Sequence, residues 1–228
     1  MASDPLRTWE VLFRRALVLI EDARRRRVPV DLWAFGGGTV LMRRHRHRLS
    51  KDVDIFIDDP QFLGYLTPRL SPAAEALTTD YTEDANFVKL RFPEGEVDFV
   101  VAAPLTSTPT CEEDILGKPF LVERSGEIIA KKVWHRGAEF TARDIFDFAM
   151  VAEREPSVFT ELAPILRSRR DAILARVQRH EGFLRESFEE LAVLDYRPTF
   201  EECLAILKHA LASALTTPSQ ADLSRPRR

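Results

Sequence analysis

Residues 35–57 read F-G-G-G-T-V-L-M-R-R-H-R-H-R-L-S-K-D-V-D-I-F-I. An apolar run from Val30 to Phe35 enters three glycines, Gly36, Gly37 and Gly38, and a helical segment follows from Thr39. Glycine lets the backbone turn sharply and lets an anion approach the amides, and a helix N-terminus adds a favourable dipole. An ordinary tight turn uses the same residues. At the far end, Asp52 and Asp54 flank Val53 in a segment of strand character. Period two puts both carboxylates on one face, with Val53, Ile55 and Ile57 on the other, toward a core. Two such charges repel by roughly a few kcal/mol at an effective dielectric of about 20. A hard cation such as Mg²⁺, which takes oxygen ligands, would offset this. A solvated strand face is the competing reading.

A third carboxylate completes the pattern. In E-V-D-F-V, Glu96 and Asp98 share one face and Val97 and Phe99 the other. A strand paired beside 53–57 would bring Asp98 next to Asp52 and Asp54. Three carboxylates on adjacent strands are able to hold two Mg²⁺ ions about 4 Å apart, as phosphoryl and nucleotidyl transfer require.

Outward from this centre, residues 5–27 carry apolar positions at helical spacing, including Trp9, Leu12, Phe13, Ala16, Leu19 and Ile20. Two short Pro-punctuated helices are expected between 60 and 80. Strands at 87–92 and 96–101 are joined by a Pro93-Glu94-Gly95 turn, and a further strand falls at 119–123 before a turn at Ser125-Gly126. Beyond that the pattern is helical: 128–136, a helix capped by Thr141, and three more at about 158–168, 170–190 and 199–215. The expected organisation is an α/β half over 1–125, a helical half over 126–215 and a disordered polar tail over 216–228.

Composition narrows the class. The chain has 228 residues, 45% hydrophobic and 30% charged, with 33 Lys+Arg against 36 Asp+Glu. That is enough apolar content for a core, and the balance gives no sign of a globally basic nucleic-acid binder. No run approaches the ~20 apolar residues of a membrane span, so no membrane association is expected. Two distant cysteines, Cys111 and Cys203, exclude a disulfide framework and suit a cytoplasmic setting. Arg43, Arg44, Arg46, Arg48 and Lys51, with His45 and His47, form a basic stretch that would serve either as a polyanion contact or as a solvated face. Trp9, Trp33 and Trp134 lie on apolar faces and are expected in the core.

The order G-G, thirteen residues, then D-h-D-h (h, apolar) and a later h-D-h resembles the DNA polymerase beta-type nucleotidyltransferase superfamily, through Gly37-Gly38, Asp52-Val53-Asp54-Ile55 and Asp98. More narrowly, G-G-T-x-L with R-L-S-K-D-V-D-I-F, the later Ala130-Lys131-Lys132 and the run Arg143-Asp144-Ile145-Phe146-Asp147 resemble the AbiEii/AbiGii toxin family. The resemblance covers roughly 30–150. It implies an α+β fold: a small mixed β-sheet nucleotidyltransferase core with flanking helices and a C-terminal helical bundle. It further implies metal ligation by Asp52, Asp54 and Asp98, with Asp98 as general base. Gly37, Gly38 and Thr39 would cradle the triphosphate, with Arg48 and Ser50 beside them from the R-x-S-x-D-x-D pattern. Lys132 would neutralise phosphate charge, and Arg143, Asp144 and Asp147 would shape the nucleotide pocket. Lys131 rivals Lys132, the two pointing about 100° apart on a helix. The implied activity is Mg²⁺-dependent transfer of NMP from an NTP to an acceptor hydroxyl, RNA or tRNA foremost. The setting would be a type IV toxin–antitoxin or phage-defence pair with a cognate antitoxin. A non-catalytic nucleotide- or RNA-binding module and a small-molecule (antibiotic) nucleotidyltransferase are the alternatives.

Overall fold

The strands are β1 (Trp33–Gly36), β2 (Val53–Ile57), β3 (Tyr81–Asp84), β4 (Phe87–Phe92), β5 (Gly95–Val101), β6 (Thr110–Ile115) and β7 (Lys118–Glu123) in a computed structural model of the chain, which describes residues 4–216. They form one mixed sheet in the order β3-β4-β5-β2-β1-β7-β6, with β2 at its centre. β2 runs parallel to β5 and antiparallel to β1, and β1 runs parallel to β7.

Period two along β2 and β5 explains the sheet's two faces. Val53, Ile55 and Ile57 pair in register with Val97, Phe99 and Val101, and Phe35 on β1 pairs with Ile55. Val53, Ile55, Val97, Phe99 and Phe35 are fully buried. Helix α1 (Thr8–Arg25) covers this face, since its Trp9 stacks on Phe35 at 5.8 Å and its Phe13 lies 4.9 Å from the same ring. The acidic positions Asp54 and Asp98 therefore belong to the opposite face.

Helix α2 (Gly37–His45) opens within the glycine run, two residues before Thr39, and ends where Arg46 turns left-handed at φ 48°. The short helices α3 (Leu63–Leu66) and α4 (Pro72–Glu75) lie in the expected interval. Edge strands β3 and β6 have no counterpart in the pattern reading. Both are polar, as exposed edges commonly are, and lack the apolar alternation that marks a strand.

The chain divides into two compact units. One runs through Pro104 and again over Thr108–Arg124; the other comprises Leu105–Ser107 and the chain from Ser125 onward. The second is helical: α5 (Ser125–Arg136), α6 (Ala142–Arg154), α7 (Val158–Glu189) and α8 (Phe200–Thr216). Its core joins Phe146 to Phe188 and Tyr196 at 5.5 and 5.3 Å, and Phe188 to Phe200 at 5.5 Å. The architecture is thus α+β, a mixed sheet with flanking helices and C-terminal helices.

Three local expectations differ. Ser125-Gly126 begins α5 rather than forming a turn, and Gly126 is buried with Val158 3.4 Å from where its Cβ would lie. The break between the two helices expected over 158–190 falls at His180 (φ −125°) within α7 and not near residue 169. Trp134 is 38% exposed on α5, with the Arg169 guanidinium over its ring at 4.2 Å, so a cation rather than the core covers that face. Of the tail, Thr216 closes α8, and residues 217–228 lie outside the described residues. Among the described residues no helix is long and apolar enough to cross a membrane.

Candidate active site

Asp54 is placed by β2 directly between Asp98 of β5 and Gly36 of β1. Next to it, Gly37 has φ +74°, and a Cβ there would stand 1.8 Å from Asp54 Oδ2. Only glycine fits both the left-handed backbone and the carboxylate beside it. A Cβ on Gly38 would meet Arg48 Nη2 at 2.8 Å and Ser50 Oγ at 3.0 Å. The glycine turn and the R-x-S segment therefore pack against each other, which accounts for their recurring together in the sequence pattern.

Thr39 follows the glycines in the first turn of α2. It is fully buried, and its hydroxyl donates to the Asp52 carbonyl at 2.5 Å with Ser50 Oγ 3.1 Å away. It braces the start of α2 to the approach of β2. Arg48 is 4% exposed and donates to the Leu49 carbonyl at 3.2 Å.

The carboxylates are unlike one another. Asp52 Oδ1 accepts from the Glu96 amide at 3.1 Å. Asp98 Oδ2 pairs with Lys89 Nζ at 2.8 Å, and Lys89 also reaches Glu96 Oε2 at 2.6 Å. Asp98 Oδ1 is buried with no hydrogen-bond partner. Burial, and then the charge of Asp54, push the Asp98 carboxyl up to about 6 in spite of Lys89. Among the described residues no three His, Cys, Asp or Glu side chains are gathered as a metal-binding group. Asp54 and Asp98 lie side by side as a pair in register, and Asp52 has one oxygen engaged by a backbone amide. That pair still fits a divalent cation: both supply hard oxygens from adjacent strands, and the buried Asp98 Oδ1 lacks a partner.

The basic stretch before β2 is partly committed. Arg43 Nη1 and Arg44 Nη2 lie 3.1 and 2.6 Å from the Glu113 carboxylate on β6. They brace α2 to the sheet edge, which withdraws them from the polyanion contact considered for this stretch.

In the helical unit the structure separates the two lysines. Lys132 Nζ stands 2.6 Å from Asp144 Oδ1 and 3.1 Å from Asp147 Oδ2, both carboxylates being fully buried. Asp144 is also the third residue of a reciprocal cap: its Oδ2 accepts from the Thr141 amide at 3.0 Å, and its own amide donates to Thr141 Oγ1 at 3.2 Å. Burial would raise the Asp144 carboxyl, but Lys132 and Arg136 hold it below the ordinary value. Lys131 lies 3.7 Å from the fully buried Glu127. The Glu127 carboxylate accepts from the Leu105 amide at 2.9 Å and the Thr106 amide at 2.9 Å, tying that loop down. Arg143 is exposed near the start of α6.

Sequence reasoning missed Lys89 and Glu127. The alternation in F-V-K-L-R-F set Lys89 on the polar face of β4, which is where a counter-charge for Asp98 would be sought. For Glu127 the pattern offers Lys131 four residues on, but not the Leu105 and Thr106 amides that bind its carboxylate.

A glycine-opened helix beside paired aspartates on parallel strands, within a mixed sheet, belongs to the nucleotidyltransferase fold. The family described as "Nucleotidyl transferase AbiEii toxin, Type IV TA system" matches residues 24–218, and the chain belongs to that family. Two solved structures share the fold. One is a candidate nucleotidyltransferase from H. pylori, at 17% identity, with 98% of this chain and 100% of that one covered and a TM-score of 0.52. The other is MenT4, a nucleotidyltransferase toxin from Mycobacterium tuberculosis H37Rv, at 17% identity, with 96% and 86% covered and a TM-score of 0.54. No curated protein matches the chain.

Proposed function

We propose that this protein transfers NMP from an NTP to an acceptor hydroxyl on RNA, with tRNA the first candidate, as the toxin of a type IV pair in the cytoplasm. The observation that carries this reading is the register of Asp54 against Asp98 beside the Gly37 turn. The acceptor oxygen attacks the α-phosphorus, the bond to pyrophosphate breaks, and Asp98 takes the hydroxyl proton. Asp54 and Asp98, with Asp52 beside them, would hold Mg²⁺, which when bound lowers the pKa of the attacking hydroxyl and neutralises phosphate charge.

Gly37 and Gly38 leave the turn open to phosphate oxygens, with Arg48 and Ser50 as its backing. Lys132, whose ammonium is shared with Asp144 and Asp147, is the cation this reading assigns to phosphate charge, and Arg143 supplies an exposed one on α6. Family membership supports a cognate antitoxin as partner. The test is acceptor choice. Each α-labelled NTP is incubated with total tRNA or with a panel of aminoglycosides. Label on tRNA alone supports the proposal; label on an aminoglycoside alone replaces it with antibiotic modification; nucleotide binding with no transfer to any acceptor replaces it with a binding module.

A further inference from the structure

Strand register lays out a row across four strands. Lys89 on β4 faces Asp98 on β5, Asp98 faces Asp54 on β2, and Asp54 faces Gly36 on β1. One step along, Arg91 faces Glu96, whose amide is bound by Asp52. This face therefore carries four carboxylates, Asp52, Asp54, Glu96 and Asp98, and two cations from β4. Arg91 is divided between Glu96 at 3.5 Å and Asp80 at 3.2 Å. Lys89 is concentrated on the row itself, bridging Glu96 at 2.6 Å and Asp98 at 2.8 Å.

The two oxygens of Asp98 consequently differ. Oδ2 is neutralised by an ammonium group, and Oδ1 is buried without a hydrogen bond. A lysine suits this position, because its compact charge carries three donors and reaches two carboxylates at once. A second divalent cation at Asp98 would have to sit against the ammonium or displace it from two acids.

We infer that Lys89 takes the place of a second cation at Asp98, so that the protein itself binds one divalent cation through Asp54 and Asp98. This rests on the reading of the acidic face as the reaction site. Lys89 is on this account a positioning residue, acting through Asp98, and any further cation arrives with the triphosphate.

Titration of the nucleotide-free full chain with Mn²⁺, read by the electron paramagnetic resonance of free Mn²⁺, tests this. The expected stoichiometry is one for the wild type and for Lys89→Arg, two for Lys89→Met, and none at this site for Asp54→Asn. Lys89→Gln, which keeps a polar side chain, substitutes for Lys89→Met if the latter does not match the wild-type circular dichroism, and is also expected to bind two. One ion in the wild type and still one in both neutral variants overturns the role of Lys89 and leaves the acidic face standing. Two ions in the wild type overturn it as well. No Mn²⁺ site sensitive to Asp54→Asn overturns both readings together.

Discussion

Asp144 shows how a single buried carboxylate is made affordable. Its charge is met by Lys132 at 2.6 Å, by the more distant Arg136 at 3.4 Å, and by the amide and hydroxyl of Thr141. These hold its ionisation below the ordinary 3.8, so the folded state binds a proton there less readily than the unfolded chain. Its contribution to stability is full above the unfolded value and is lost as pH falls through the folded one. Asp144→Asn is thus expected to lower the melting temperature by several degrees at pH 7 and by much less near pH 3, in thermal melts of both proteins across that range. Gly37 is the second decisive residue. Gly37→Ala forces a left-handed backbone costing about 1–2 kcal/mol and drives a methyl into the space of Asp54 Oδ2. The expected result is a modest loss of thermal stability but a loss of transfer of at least about a hundredfold, an orientation-sized effect.

At the scale of elements, α5 and α6 are joined by one ion cluster. Lys132→Met leaves Asp144 and Asp147 buried and short of their cation, a change that typically costs about 3–5 kcal/mol. Lys131→Met leaves Glu127 with its backbone amide donors from Leu105 and Thr106, and is expected to cost clearly less. Urea denaturation of the two variants reads the difference, and equal losses would contradict it. How the elements were legible follows the same physics. β2 and β5 could be read because period-two alternation assigns Val53, Ile55, Val97 and Phe99 to a core and Asp54 and Asp98 to the other side. β3 and β6 could not, because edge strands such as Y-T-E-D and T-C-E-E-D-I bury little and so carry no apolar alternation. The start of α5 was hidden because Ser125-Gly126 has turn chemistry, while the helix is favoured by packing of Gly126 against Val158. Which lysine faces the aspartates needed three dimensions, since a 100° difference on α5 is set by where α6 lies.

For the molecule as a whole, the small formal charge of −3 is an average over unlike regions. A basic stretch precedes β2, yet Arg43 and Arg44 are spent on Glu113. On β5, Asp98 and Glu96 are paired with Lys89 and Arg91 of β4. Charge here organises a site on a balanced scaffold, and ligand binding should show it. Mg²⁺ with NTP is expected to raise the melting temperature, with the rise reduced in Asp54→Asn, because a ligand that binds only the folded state stabilises it by mass action. The central claim, that Asp54 and Asp98 support nucleotidyl transfer, is tested most directly by incubating the protein with α-labelled and, separately, γ-labelled NTP in the presence of cellular RNA and Mg²⁺. The account predicts α-label in RNA, γ-label only in released pyrophosphate, and neither event with Asp54→Asn of unchanged fold. Transfer of the γ-label to RNA, or α-label transfer undiminished in Asp54→Asn, would contradict it.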